Sequence, residues 1–162
     1  KMAFGTGHHA TTSLILDRLL SMDLDGSSVI DMGTGTGILA ILAAMRGARP
    51  VTAIEIDPFA HVNAVENVAI NGHDEIKVIL GDASALEDVA PARVFIANIN
   101  RNVITADIAA YASRLEKGGT MLLSGFYNDD VPIVEAAAEA VGLRSEGFTE
   151  RDRWACLKLV KI

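Results

Sequence analysis

The sequence predicts a single α/β domain built on a mostly parallel sheet that an antiparallel hairpin closes at the C-terminus. Three observations carry this. Apolar runs of strand length alternate with helix-length patterns from Val29 onward, the signature of a parallel sheet covered by helices. A glycine-rich loop, Gly33 to Gly37, joins the first strand to the helix after it. The last two strand-like stretches have no helix-length segment between them, so they are expected to pair antiparallel. With 162 residues, half of them apolar, the chain can bury one substantial core but is short for two domains of typical size.

The opening Gly5-Thr6-Gly7-His8-His9 is expected as a loop, with Thr11 and Thr12 as N-cap types before a helix through Leu14, Ile15, Leu16, Leu19 and Leu20. Val29–Met32 is the first predicted strand, followed by the glycine loop and a helix from about Ile38 to Arg46. Val51–Ile56 is the second strand. Asp57-Pro58 then supplies a cap and a first-turn proline, and Asn71-Gly72 the stop of the next helix. Ile76–Leu80, Arg93–Ala97 and Thr120–Ser124 read as strands three to five, and Pro132–Val141 as an alanine-rich helix. Leu143–Phe148 and Trp154–Val160 form the predicted hairpin. Such a closure departs from a simple dinucleotide fold, whose last strands are also joined by helices.

A net charge of −7, from 21 acidic and 14 basic side chains, argues against direct nucleic-acid binding, which calls for a basic face. The single cysteine, Cys156, forbids an intrachain disulfide and fits a reducing, cytoplasmic setting, with the thiol an inert strand residue. No apolar run approaches the roughly 18 residues of a membrane span, so a soluble protein without a membrane partner is expected. The start on Lys1, passing at once into a glycine-rich loop, suggests the C-terminal part of something longer.

Asp31-Met32-Gly33-Thr34-Gly35-Thr36-Gly37 stands between strand and helix, where glycines let backbone pass close to a ligand. The dinucleotide fingerprint would need glycine in place of Ile38, and Asp31 lies two positions before the first glycine. A carboxylate there repels phosphate but attracts a cofactor carrying sulfonium and ammonium groups, as S-adenosylmethionine does. Gly33, Gly35, Gly37 and Asp31 are therefore candidate cofactor contacts. Glu55, about 20 residues past the loop, can accept both ribose hydroxyls, and Asp82, after strand three, can accept from the adenine amine. Asn98, where strand four runs into Asn98-Ile99-Asn100-Arg101, is the catalytic candidate. Its amide oxygen can accept from an incoming amine and aim the nitrogen lone pair at the methyl carbon. Adjacent His8 and His9 have no matching ligand spacing and are assigned to the pocket mouth rather than to a metal; Asn100 is placed there too. Phe126, Tyr127 and Trp154 could stack on substrate, although aromatics beside strands more often pack.

These motifs closely resemble the PrmA family of ribosomal protein L11 methyltransferases over nearly the whole chain. The most specific parts are Ala3-Phe4-Gly5-Thr6-Gly7-His8-His9-Ala10-Thr11-Thr12, similar to that family's opening loop, and Asp31 to Gly37. Glu55-Ile56-Asp57-Pro58, Ala97-Asn98-Ile99 and the tryptophan of the last strand complete the set. The resemblance implies a Rossmann-like class I S-adenosylmethionine-dependent methyltransferase fold and amino-group methylation of ribosomal protein L11. It also implies cofactor contacts from Thr12, Gly33, Glu55 and Asn98, with the loop carrying Phe4 closing over the methionine end. Glu55 stands where family members often have Asp, and Asn100-Arg101 replaces a small apolar step. The family's separate N-terminal substrate-gripping domain has no room in residues 1–162, which read as one catalytic domain.

The residues alone leave the acceptor open between a ribosomal protein, a small molecule and another acceptor. A nicotinamide oxidoreductase is opposed by Asp31 and Ile38, and a non-catalytic S-adenosylmethionine-binding module is the remaining class.

Overall fold

In the computed structural model the described residues are 7–162, with side chains from His9 onward. Helix α1 spans Gly7–Leu20, so it begins earlier than the composition suggests. Thr11 and Thr12 are not caps; both are buried inside the helix. Ala10, Leu14, Ile15 and Leu19 line its inward face at helical spacing, and this stripe extends the helix back through residues whose glycine and histidines suggest a loop. Gly5 and Thr6 of the expected loop lie outside the described residues.

Strand β1, Val29–Met32, is buried throughout and leads through the glycine loop into α2, Ile38–Met45. Strand β2 is Val51–Glu55. Helix α3, Pro58–Ile70, is bracketed as its sequence requires: Asp57 caps it by accepting from the Phe59 amide at 3.1 Å, proline opens it, and Asn71 closes it. Strand β3, Lys77–Leu80, is followed only by a 3-10 turn, Ala83–Asp88, before β4, Ala92–Asn98. Helix α4, Arg101–Ser113, escapes the sequence reading. Its buried face, Ile104, Ile108, Tyr111 and Ala112, is interrupted by polar side chains and starts directly after a strand. Strand β5 runs from Leu115 to Tyr127, much longer than the apolar core Thr120–Ser124 that announces it. Helix α5, Val131–Glu139, precedes the hairpin strands β6, Leu143–Arg151, and β7, Trp154–Lys161.

The sheet order is β3-β2-β1-β4-β5-β7-β6. All pairs from β3 to β5 are parallel, and β7 pairs antiparallel with both β5 and β6. The expected mostly parallel sheet with a C-terminal hairpin is thus observed. One core, including Leu14, Ile15, Leu39, Ile41 and Val68, packs α1, α2 and α3 on one face. A second, including Phe95, Ile104, Tyr111, Val134 and Leu157, packs α4 and α5 on the other. Cys156 is fully buried, and burial pushes its thiol up to about 12, an inert state as expected.

Because β1 to β5 are parallel, their C-terminal ends share one edge of the sheet. The start of β7 and the β6–β7 turn fall on that same edge. Loops at this edge form the crevice where open α/β sheets hold ligands.

Asp57→Ala should lower unfolding stability by about 1 kcal/mol through the lost cap, read as an earlier urea midpoint at unchanged m. A midpoint indistinguishable from the wild type would show that the proline alone sets the start of α3.

Candidate active site

At this edge β1 delivers Asp31 and β2 delivers Glu55, both buried. The Thr34 hydroxyl donates to Asp31 Oδ2 at 2.7 Å, while Asp31 Oδ1 is buried with no hydrogen-bond partner among the described residues. Burial pushes the Asp31 carboxyl up to about 7; the Thr34 bond pulls it down and the neighbouring Glu55 charge pushes it up. Glu55 is held differently. Its Oε1 accepts from the Gly35 amide at 2.8 Å and its Oε2 from the Asp57 amide at 3.1 Å.

The glycine loop is therefore tied inward. The amides of Gly33 and Thr34 both donate to the Ile54 carbonyl, at 2.8 and 2.9 Å, Gly35 donates to Glu55, and Gly37 donates to the Thr34 carbonyl. Amides spent this way are not presented to a phosphate, unlike those of a phosphate-cradling loop. With two buried carboxylates alongside, the site favours a ligand that is positive and rich in donors. Glu55 keeps lone pairs beyond its two amide bonds, since an ionised carboxylate offers about four acceptor positions.

Asn98 ends β4 opposite Ser124 of β5, and its Oδ1 is also buried without a partner among the described residues. Buried polar atoms are nearly always satisfied, so two orphaned acceptors on adjacent strands, Asp31 Oδ1 and Asn98 Oδ1, point to donors supplied by a ligand. The next residue, Ile99, donates its amide to the Ser124 carbonyl at 3.0 Å. Residue 33 must be small: a Cβ on Gly33 (φ +73°) would lie 2.8 Å from Ile99 Cγ1.

Other candidates have local roles. Asp82 is exposed and caps the 3-10 turn, accepting from the Ser84 amide and hydroxyl, which hold its carboxyl below the usual range. Asn100 caps α4 by accepting from the Val103 amide at 3.0 Å. Its side-chain oxygen is thus already used, although the residue still stands on the site edge. Thr12 is buried in α1, and His9 is exposed in the same helix rather than in a loop. Phe4 lies outside the described residues, as does the His8 side chain. Phe126 is core. Tyr127 and Trp154 stack on each other with ring centroids 4.2 Å apart, and the Arg153 guanidinium lies 5.5 Å from the Tyr127 ring centroid. What the sequence reading missed is the Thr34–Asp31 bond and the contact of Ile99 with Gly33. The first has a local signal, a hydroxyl three residues from the acid; the second has none.

The model of the family described as ribosomal protein L11 methyltransferase (PrmA) matches residues 1–162. A protein of that name from Bacteroides fragilis is 51% identical over 160 residues, 99% of this chain and 57% of the relative. One from Porphyromonas gingivalis is 54% identical over 158 residues, 98% of this chain and 54% of the relative. The chain thus spans little more than half the length of these relatives. Among solved structures, a ribosomal protein L11 methylase from Lactobacillus delbrueckii subsp. bulgaricus superposes with a TM-score of 0.86 at 30% identity, covering 96% of this chain and 80% of that one.

Asp31→Asn gives a stability test with a defined sign. A carboxyl raised from its ordinary value of 3.8 to about 7 binds its proton more tightly in the native state. Its contribution is therefore fully present below about pH 4 and lost as pH rises to about 7. Asn does not titrate, so Asp31→Asn should gain on the wild type across that window, by on the order of 4 kcal/mol at pH 8. Parallel pH–stability curves for the two proteins would show that Asp31 is ionised and satisfied in the free protein.

Proposed function

The chain belongs to the ribosomal protein L11 methyltransferase (PrmA) family, and we propose that it is the S-adenosylmethionine-binding catalytic domain of a protein N-methyltransferase acting on amino groups of ribosomal protein L11. The observation that carries this reading is the pair of orphaned buried acceptors, Asp31 Oδ1 and Asn98 Oδ1, beside a glycine loop whose amides are turned away from the crevice. A ribosomal substrate puts the reaction in the cytoplasm. No helix among the described residues is long and apolar enough to cross a membrane.

The residues present fit the proposed cofactor. Asp31 offers an anionic acceptor for its cationic amino-acid end, and ionises as that charge approaches. Glu55 takes the ribose hydroxyls on the lone pairs its amide bonds leave free. Gly33, Gly35 and Gly37 let it lie close to backbone. Thr12 of α1 would lie toward the methionine side, with Phe4, His8 and His9 the further candidates for the pocket mouth. Asp82 and Asn100 flank the adenine and acceptor ends. When bound, S-adenosylmethionine supplies an activated methyl group on a sulfonium.

Asn98 then acts by orientation. Its Oδ1 accepts an N–H of the neutral substrate amine, which points the nitrogen lone pair along the line of transfer. The bound cofactor would supply the methyl carbon and keep the C–S electron pair on sulfur, while Asn98 Oδ1 holds the amine in line and the amine proton would leave to solvent. A lysine amine, ordinarily protonated near pH 10.4, has to reach the site neutral, and desolvation beside a positive group favours that form.

Calorimetric titration tests the cofactor. S-adenosylmethionine affinity should rise with pH up to about 7 and then level off, because the ligand binds best to ionised Asp31; Asp31→Asn should flatten that profile, and Glu55→Ala should weaken binding about tenfold or more. Binding of NADH instead would overturn the reading.

Catalysis is tested with labelled S-adenosylmethionine and ribosomal protein L11, using the full-length protein. Asn98→Ala should lower kcat by about 100-fold through lost orientation. Full turnover in that variant would remove Asn98 from the mechanism.

A further inference from the structure

The chain crosses from Asn98, the end of β4, to Arg101, the start of α4, through two residues, and both ends of the crossing are pinned. Asn98 pairs with Ser124 in the sheet, and Asn100 caps α4. Between them, Ile99 occupies a slot walled by the loop after β1 and by β5. On one wall a Cβ at Gly125 (φ +103°) would fall 2.3 Å from the Ile99 carbonyl oxygen, 2.7 Å from its carbon and 2.9 Å from its nitrogen. The Ile99 backbone therefore lies directly on the Gly125 α-carbon, closer than any side chain at residue 125 permits. On the other wall a Cβ at Gly33 would fall 2.8 and 2.9 Å from Ile99 Cγ1 and Cδ1. The Ile99 side chain thus presses on the first glycine of the β1 loop.

The Gly125 wall comes from an irregularity in β5. Ser124 pairs with Cys156 and Phe126 with Ala155, leaving Gly125 as the extra residue of a bulge, a feature that often re-aims neighbouring groups beside functional sites. Just before the bulge, the Ser124 carbonyl accepts the Ile99 amide at 3.0 Å, the last bond of the β4–β5 ladder. Isoleucine is branched at Cβ and has few χ1 choices, so contact at its side-chain tip is transmitted to its backbone and on to Asn98.

We propose that Ile99 is a positioning residue for methyl transfer: wedged between Gly33 and Gly125, it fixes the Asn98 carbonyl relative to the glycine loop that holds the cofactor. This rests on the methyltransferase reading above. Ile99 need not touch either reactant. Its contribution is geometric, and displacements of about 1 Å in such an arrangement cost on the order of 100-fold in rate.

The test compares wild type, Ile99→Val and Ile99→Ala in the full-length protein by S-adenosylhomocysteine titration, by methyl incorporation into ribosomal protein L11, and by the 1H–15N signals of the Asn98 side-chain amide. Ile99→Ala should lower kcat about 30-fold or more while the S-adenosylhomocysteine Kd and the KM for L11 stay within about threefold, and Ile99→Val should retain most of the activity. The Asn98 amide, a single resolved pair in the wild type and in Ile99→Val, should broaden or double in Ile99→Ala. Ile99→Ala turning over within about threefold of the wild type overturns the proposal. So does a loss of turnover matched by an equal loss of S-adenosylhomocysteine binding, which would make Ile99 mere support for the cofactor loop. Wild type that neither binds S-adenosylhomocysteine nor transfers methyl overturns the methyltransferase reading instead, and the Asn98 amide signal then still decides whether Ile99 fixes that side chain.

Discussion

Two carboxylates buried at neighbouring strand ends constrain everything else at this edge of the sheet. Burying an ionised carboxylate is costly unless it is paired and hydrogen-bonded. Glu55 meets the requirement with two backbone amides, one from the glycine loop and one from the start of α3. Gly35 donates its amide to that carboxylate, Gly33 and Thr34 donate theirs to the Ile54 carbonyl and Gly37 to that of Thr34, so these amides are not presented to a phosphate. Asp31 accepts from the Thr34 hydroxyl and has one bare oxygen; burial pushes its carboxyl up to about 7 against the pull of Thr34 and of the Ala40 backbone. Below that pH the unmet demand is relieved by a proton. Under the proposed reading a cationic cofactor relieves it instead, so proton release and cofactor binding are two sides of one equilibrium. A residue that weakens the free protein is retained at the place where a ligand can use the deficit.

Much of this half of the site was legible in the sequence because its signals are local. Asp31 and the glycines sit within seven residues, Glu55 follows at a spacing set by one βαβ step, and Asp57-Pro58 to Asn71-Gly72 brackets α3 with matched start and stop residues. The fold class followed from the alternation of strand and helix patterns. What was misjudged also has physical causes. Gly7, His8 and His9 look like a loop, and tertiary burial of Ala10 and Leu14 overrides that tendency to start α1 early. Helix α4 lacks a strong sequence signal because its cap, Asn100, also reads as a loop residue at the strand end. Strand β5 extends through Gly118, Gly119 and Gly125, residues that argue against a strand until the partners on both sides are known. The same partners explain why the Ile99 slot was invisible: residue 33 follows β1, residue 99 follows β4 and residue 125 lies in β5, far apart in the sequence. A glycine interrupting an apolar strand, as in Ser124-Gly125-Phe126, is the one local hint of a bulge.

The hairpin that separates this sheet from a dinucleotide fold bears on the acceptor side in particular. Strand β5 pairs in parallel with β4 only as far as Ser124, and antiparallel with β7 as far as Tyr127. Satisfying both neighbours puts the bulge at Gly125, one residue past the last β4 pair, where the Ile99 backbone crosses. The β7 start also brings Trp154 onto Tyr127, and the turn before it holds Asp152 and Arg153 at positive φ, a conformation that non-glycine residues adopt at a cost. Arg151 in turn bonds Ser13 and Asp17, tying the hairpin to α1. Under the proposed reading, the half-sheet β1–β3 supplies the carboxylates for a positive, ribose-bearing ligand, and the other half carries Asn98 and the bulge beside it. Methyl transfer would then require the two halves to agree closely, and Ile99 meets both, its side chain against Gly33 and its backbone against Gly125.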